Sequence, residues 1–239
     1  MRSVEDRVAV VTGASRGIGA AIARHFAKAR ARVVMCARHP EDLEKAARDL
    51  EAPESDFLIV PADVGTADGM RQVVDQTIEK FGQIDYFINN AGIGLRKPVI
   101  ETSEEDFDHM FDTNVKAIFL SFQTVLPQML KRGQGHIINI SSLAAKGTPP
   151  QMSIYAASKA AVNAMSDSVG SEVRAEGIKV SVLSPASTDT RMLDRVSSGT
   201  SGIKRLTPDE VAEAVMSLAT QNENAWTSSV DIRPLHVKK

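Results

Sequence analysis

Short apolar runs rich in β-branched residues alternate with amphipathic stretches along the whole chain. Residues 7–12 (RVAVVT) are apolar without alternation, the pattern of a parallel strand buried on both faces. Similar runs at 32–37, 57–60, 86–89, 136–141 and 179–183 predict further strands, and 229–233 a closing one. Helical spacing covers 18–29, 40–50, 68–81, 114–130, 153–175 and 207–218. Pro40 suits a first helical turn. Ser103 with Asp106 reads as a capping box opening a helical region, and Thr207-Pro208-Asp209-Glu210 as a second cap. Pro127 predicts a kink near the end of the 114–130 helix. Such strand–helix alternation requires right-handed crossovers. The expected fold class is therefore α/β: a doubly wound, mostly parallel sheet in a single domain over 1–239.

No linker, internal repeat or low-complexity tract divides the chain. The longest candidate loop, 184–206, is rich in Ser, Thr, Gly and Arg. It follows a strand's carboxyl end, so it is expected to hang over a crevice as a substrate loop. A hydrophobic content of 43% with 24% charged residues is globular. A net charge of −2 supplies no basic field for nucleic acid. No apolar run reaches the roughly 20 residues that span a bilayer, so no membrane partner is expected. Met1 to Arg7 lack the basic-then-apolar order of a signal peptide, which makes the cytoplasm the expected compartment. Cys36, the one cysteine, sits in an apolar run and reads as a buried, inert thiol. The five histidines have no HExxH or paired-ligand spacing, so no metal site is expected.

The chemistry concentrates in two segments. Thr12-Gly13-Ala14-Ser15-Arg16-Gly17-Ile18-Gly19 lies between the first strand and the first helix. A glycine loop there makes a pocket for phosphates at a helix N-terminus. Gly13 would permit the tight turn, Gly17 the close approach of backbone to a pyrophosphate, and Gly19 close packing of helix on sheet. Downstream, Tyr155 and Lys159 stand four residues apart on a helix, so phenol and ammonium share a face. Lowering a tyrosine from about 10 to neutrality takes roughly 4 kcal/mol. One ammonium about 4 Å away at an effective dielectric of ~20 supplies that much. Together these features point to a nucleotide cofactor beside a proton-transferring tyrosine. No carboxylate ends the second strand: Ala37 stands there, followed by Arg38, with Arg16 in the loop. Two guanidiniums favour a 2′-phosphate, hence NADP(H).

The TGxxxGxG spacing, Asn89-Asn90-Ala91-Gly92 after the fourth strand and the YxxxK pair resemble the short-chain dehydrogenase/reductase family over nearly the whole chain. The pattern is nearest to its 3-oxoacyl-carrier-protein reductases. The resemblance implies a Rossmann fold and carbonyl–alcohol interconversion by hydride transfer. It also implies a catalytic set of Asn114, Ser142, Tyr155 and Lys159. Tyr155 would exchange the proton, Ser142 would position the substrate oxygen, Lys159 would hold the nicotinamide ribose, and Asn114 would hold a water linking Lys159 to solvent. The cofactor would be touched by Gly13, Ser15, Arg16, Gly17, Ile18, Gly19 and Arg38. Asp63 and Val64 would flank adenine, and Asn90, Ala91 and Gly92 would line the cofactor while the Asn89 segment steadies the sheet. Pro185, Thr188 and Thr190 would lie near the carboxamide. Two departures stand out: Ala186 replaces the family's glycine after Pro185, and the ending Val230-Asp231-Ile232-Arg233-Pro234-Leu235 is not glycine-rich.

The substrate is expected to be a small carbonyl or alcohol, with Ile93, Leu95, Met152, Met192 and Leu193 as apolar lining. Other readings are a sugar-nucleotide epimerase or dehydratase, which shares YxxxK, and a non-catalytic NADP(H)-sensing protein. The helices at 114–130 and 153–175 are apolar on nearly every side. In a doubly wound fold one helix face meets water, so both are expected to pair in a homodimer or tetramer. Phe119 and Phe122 are the expected contacts.

Overall fold

The computed structural model describes residues 3–190 and 205–235. The substrate-loop expectation therefore falls mostly outside the described residues, and Met192 and Leu193 wholly so. Seven strands form one sheet: β1 (Val8–Thr12), β2 (Arg32–Ala37), β3 (Phe57–Pro61), β4 (Tyr86–Asn89), β5 (Gly135–Ile140), β6 (Ile178–Pro185) and β7 (Ser229–Ile232). Their order is β3-β2-β1-β4-β5-β6-β7, and every neighbouring pair is parallel. The order reverses between β1 and β4, which opens a crevice beyond their carboxyl ends.

Alternation along each strand feeds two helical layers. Ala9, Val11, Val33, Met35 and Ile88 pack with α1 (Gly17–Lys28), α2 (Pro40–Arg48) and α7 (Pro208–Ala219). Val8, Val10, Val34 and Phe87 pack with α3 (Ala67–Phe81), α5 (Ala117–Arg132) and α6 (Ser153–Val173). A strand buried on both faces has no polar face to show, which is why these segments read as unbroken apolar runs. Both expected capping boxes are present, at Ser103 before α4 (Glu104–Phe111) and at Thr207 before α7.

Two expectations need correction. No separate helix begins at Asn114: the helical path is continuous from α4 into α5 through a π turn, Asp112–Lys116. Nor is α5 open on nearly every side: most of its apolar residues are covered within the chain. Ile118, Leu120, Phe122, Val125 and Met129 are buried inside this chain, whereas Phe119 is 47% and Leu130 41% exposed. α5 packs on α3 and the sheet, which leaves only a narrow outer stripe. Phe122 is therefore core.

The amino edge of the sheet, opposite the crevice, is held by Asp85. Its carboxylate accepts from the Val8 amide at 2.9 Å, from Arg132 at 2.7 Å and from Arg7 at 3.3 Å. Burial raises this carboxyl, but the Val8 amide and the two guanidiniums prevail and hold it below its ordinary value. In mid-sheet, Asn89 Nδ2 donates to Asn139 Oδ1 and Ser121 Oγ, both at 2.8 Å, and Asn139 Nδ2 donates to Ser166 Oγ at 2.8 Å. Asn89 thus ties β4 to β5 and α5, and Asn139 extends the chain of bonds to α6. No helix among the described residues is long and apolar enough to cross a membrane. No group of three or more His, Cys, Asp or Glu among them is placed to hold a metal ion.

Candidate active site

The crevice holds a cavity of about 560 Å³. Its floor is the turn after β1. Gly13 has φ +65°, and a Cβ there would lie 2.9 Å from the Ala91 Cα. A Cβ at Gly19 would collide with the Gly13 carbonyl, so α1 can start this close only with glycine. Thr12 Oγ1 accepts from the Asn90 and Ala91 amides, each at 3.0 Å, while Asn90 Nδ2 donates to the Thr12 carbonyl at 2.9 Å. The turns after β1 and β4 are thereby bound to one another. Arg16 occupies the N-cap of α1 without a side-chain cap, so the helix's first amides are not satisfied by it.

Of the expected cofactor residues, Gly13, Ser15, Arg16, Gly17 and Ile18 line the cavity from the first turn. Arg38, Asp63 and Val64 line it from the ends of β2 and β3, and Asn90, Ala91, Gly92 and Thr190 from the far side. Gly19, Pro185 and Thr188 do not. Gly19 packs α1 on the turn, Pro185 pairs with Ile232 at the end of β6, and Thr188 Oγ1 donates to the Ala186 carbonyl. Ile93 lines the cavity, but Leu95 and Met152 do not.

Tyr155 and Lys159 come to the same cavity from the first turns of α6. Ser142, just beyond β5, hydrogen-bonds the phenol and also accepts from the Ala144 amide at 3.1 Å. Of the two serines it is Ser141, not Ser142, that lines the cavity, its hydroxyl donating to the Lys159 carbonyl at 3.3 Å. Burial raises the Tyr155 phenol above its ordinary value, against the Ser142 hydrogen bond, which lowers it. Lys159 is not among the influences on that shift. The Lys159 ammonium instead donates to the Ile140 carbonyl at 2.9 Å, and burial pushes it down to about 8.

Asn114 is fully buried in the π turn and does not line the cavity. Its Oδ1 accepts from the Ile93 amide at 2.8 Å, and its Nδ2 donates to the Ile93 carbonyl at 3.0 Å and to Ser158 Oγ at 3.0 Å. Ser158 donates on to the Tyr155 carbonyl at 2.7 Å. The Asn114 side chain pins the loop after β4 to the helix carrying Tyr155. A Cβ at Gly92 would lie 3.1 Å from Asn114 Oδ1 and 3.5 Å from Lys159 Nζ, so bare backbone separates them.

Thr12, His39, Asp42, Thr113 and Ser158 have places in or around the site that sequence reasoning missed. The signal for His39 and Asp42 was their position: a helix that opens directly after β2 lays its first turn along the crevice rim.

Fold and site together define a doubly wound α/β protein with a glycine-floored crevice and a phenol–hydroxyl–ammonium group at one end. The family profile described as short chain dehydrogenase matches residues 7–201, and the chain belongs to that family. An uncharacterized oxidoreductase of Staphylococcus haemolyticus is 33% identical over 235 residues, 98% of this chain and 100% of its own length. The crystal structure of a metagenomic short-chain oxidoreductase in complex with NADP is 34% identical, with TM-score 0.85 over 98% of this chain and 99% of that one. The 3-ketoacyl-(acyl-carrier-protein) reductase from Brucella melitensis, complexed with NADH, is 28% identical, with TM-score 0.90 over 96% and 98%.

Proposed function

We propose that this protein is an NADP(H)-dependent oxidoreductase of the cytoplasm that interconverts a small carbonyl compound and its alcohol, with a 3-oxoacyl thioester as the first candidate substrate. The observation that carries the reading is that Tyr155 and buried Lys159 line one glycine-floored cavity together. A volume near 560 Å³ falls within the roughly 300–1,000 Å³ of small-molecule sites. The residues present fit a phosphorylated dinucleotide. The turn tolerates no Cβ at Gly13, the α1 amides open into it, and Arg16 and Arg38 have no ion-pair partner among the described residues. The bound cofactor would supply or accept the hydride. The metagenomic short-chain oxidoreductase bound to NADP supports a nicotinamide dinucleotide over a cofactor-free chemistry, as does the Brucella melitensis reductase with NADH.

The rest falls to the chain's own groups. A phenol raised by burial is proton-loaded at neutral pH, the form that donates to a carbonyl oxygen during reduction. Ser142 holds that oxygen within reach of the phenol. Lys159 would place its charge beside the phenolate that forms and would hold the nicotinamide ribose. Asn114 and Ser158 keep the loop after β4 and the start of α6 in register. Asp63 and Val64 would border the adenine, Thr190 would contact the carboxamide, and Pro185 and Thr188 would shape the turn behind it. Loss of NADPH absorbance against a carbonyl panel that includes acyl thioesters, diketones and sugars tests the assignment; a flat trace on every compound counts against it.

Cofactor choice has its own test. Ala37→Asp with Arg38→Ile adds an acceptor for a ribose hydroxyl and removes a phosphate partner. The ratio of kcat/KM for NADPH to that for NADH should fall by roughly tenfold to a hundredfold, the worth of one charge-assisted hydrogen bond. A wild-type enzyme that already prefers NADH would sink the assignment.

Assembly is proposed through α5 and α6, in a dimer or tetramer. The support is the outer stripe of Phe119 and Leu130 on α5, alongside Ala160 and Ala164 on α6, all exposed in the single chain. Phe119→Glu should shift light-scattering mass toward the monomer while leaving the melting temperature near wild type. A wild type that is already a stable, active monomer at micromolar concentration refutes the interface. Phe122 is unsuitable as a probe, since at 5% exposure a glutamate there would bury a charge.

A further inference from the structure

We propose that Asp42 sets how strongly the crevice prefers a 2′-phosphorylated dinucleotide, as the negative counterweight to Arg16 and Arg38; this rests on the cofactor reading above. Asp42 lies in the first turn of α2 and lines the cavity with Arg16, Arg38 and His39. A second hollow of about 340 Å³ lies beyond, lined by Arg24 and Lys45 and again by Arg16 and Asp42. Ser15, Arg16, Gly17 and Asp42 line both hollows, and Arg16 and Asp42 are the charged members of that partition.

The two sides of that partition differ in freedom. Arg16 and Arg38 are exposed on long side chains, whereas Asp42 is half-buried on a short one. Its carboxylate is therefore the fixed charge of the group. Among the described residues it has no ion-pair or hydrogen-bond partner: Arg24, the other guanidinium in the second hollow, is taken by Asp209 at 2.6 Å. Nor is Asp42 used in a capping box, since the α2 N-cap, His39, makes no side-chain cap. Its acceptor capacity is directed to the cavity.

An ionised carboxylate has acceptors only. It takes a hydrogen bond from a ribose 2′-hydroxyl and repels a 2′-phosphate. Strand β2 ends without a carboxylate at Ala37, and α2 supplies one from the side. Two mobile cations against one fixed anion give a site that accepts both dinucleotides and favours the phosphorylated one only moderately.

Calorimetric titration of the ligand-free protein with NADP+ and with NAD+ tests this without turnover. Asp42→Asn keeps the shape and removes the charge; Asp42→Ala removes both and guards against a new amide–phosphate contact. NADP+ should bind about tenfold more tightly to each variant, as expected for removing one like charge at partly screened range, and NAD+ no more tightly. An NADP+/NAD+ affinity ratio unchanged in both variants overturns the role of Asp42 while leaving the cofactor reading standing. A wild-type protein that binds neither dinucleotide overturns that reading, and this proposal with it.

Discussion

Replacing Tyr155 by Phe should lower turnover by roughly 10²–10⁴, the usual contribution of a positioned general acid. The ring stays, so packing at the head of α6 is kept and dinucleotide affinity should change little. Only the proton and the Ser142 hydrogen bond are lost. Lys159→Met should behave differently, because its ammonium is assigned two duties: both turnover and dinucleotide affinity should fall. Steady-state kinetics beside a binding titration separate the two patterns. Near-wild-type turnover in the Tyr155 variant would remove the phenol from the mechanism.

The second large effect is on stability. Asp85→Ala leaves the Val8 amide and the Arg132 and Arg7 guanidiniums without their shared acceptor at the amino edge of the sheet. Breaking a buried, hydrogen-bonded charge set of this kind costs about 3–5 kcal/mol. Urea unfolding at pH 7 should show that deficit. Its pH dependence follows from the sign of the shift. The folded Asp85 sits below its ordinary 3.8, so its contribution is full above that value and is lost as pH falls further. The gap between wild type and variant should therefore close only in strong acid. His136 adds a separate slope common to both proteins. Burial pushes it down from 6.5 to about 3, so stability declines as pH falls between those values. A variant as stable as wild type at pH 7 would show that Asp85 carries no such load.

The strands were legible because burial on both faces leaves an unbroken apolar run, and Val8–Thr12 and Arg32–Ala37 needed no tertiary information. Tyr155 and Lys159 were legible because helical spacing alone puts them on one face. The π turn was not: apolar periodicity reports side chains, whereas a π turn is a change in hydrogen-bond register, made where Asn114 reaches the Ile93 backbone. Asp42 and His39 were missed because the tilt of α2 against the crevice depends on packing, not on local pattern. Nor was the burial of the Tyr155 phenol legible, because desolvation depends on tertiary packing. For α5, composition could not say which apolar positions meet α3 and the sheet and which face outward.

The mutual ties among Thr12, Gly13 and Asn90 have a consequence for how such a site can change. The floor of the crevice is ordered by the chain's own bonds before any ligand arrives, so the entropy of ordering is settled during folding rather than at binding. Such a floor is ill suited to gradual adjustment: each atom in it answers to two strands, and loosening one loosens both. Arg16, Arg38 and Asp42 answer to little beyond themselves. Selectivity can drift at that rim, one side chain at a time, while the scaffold beneath remains the same.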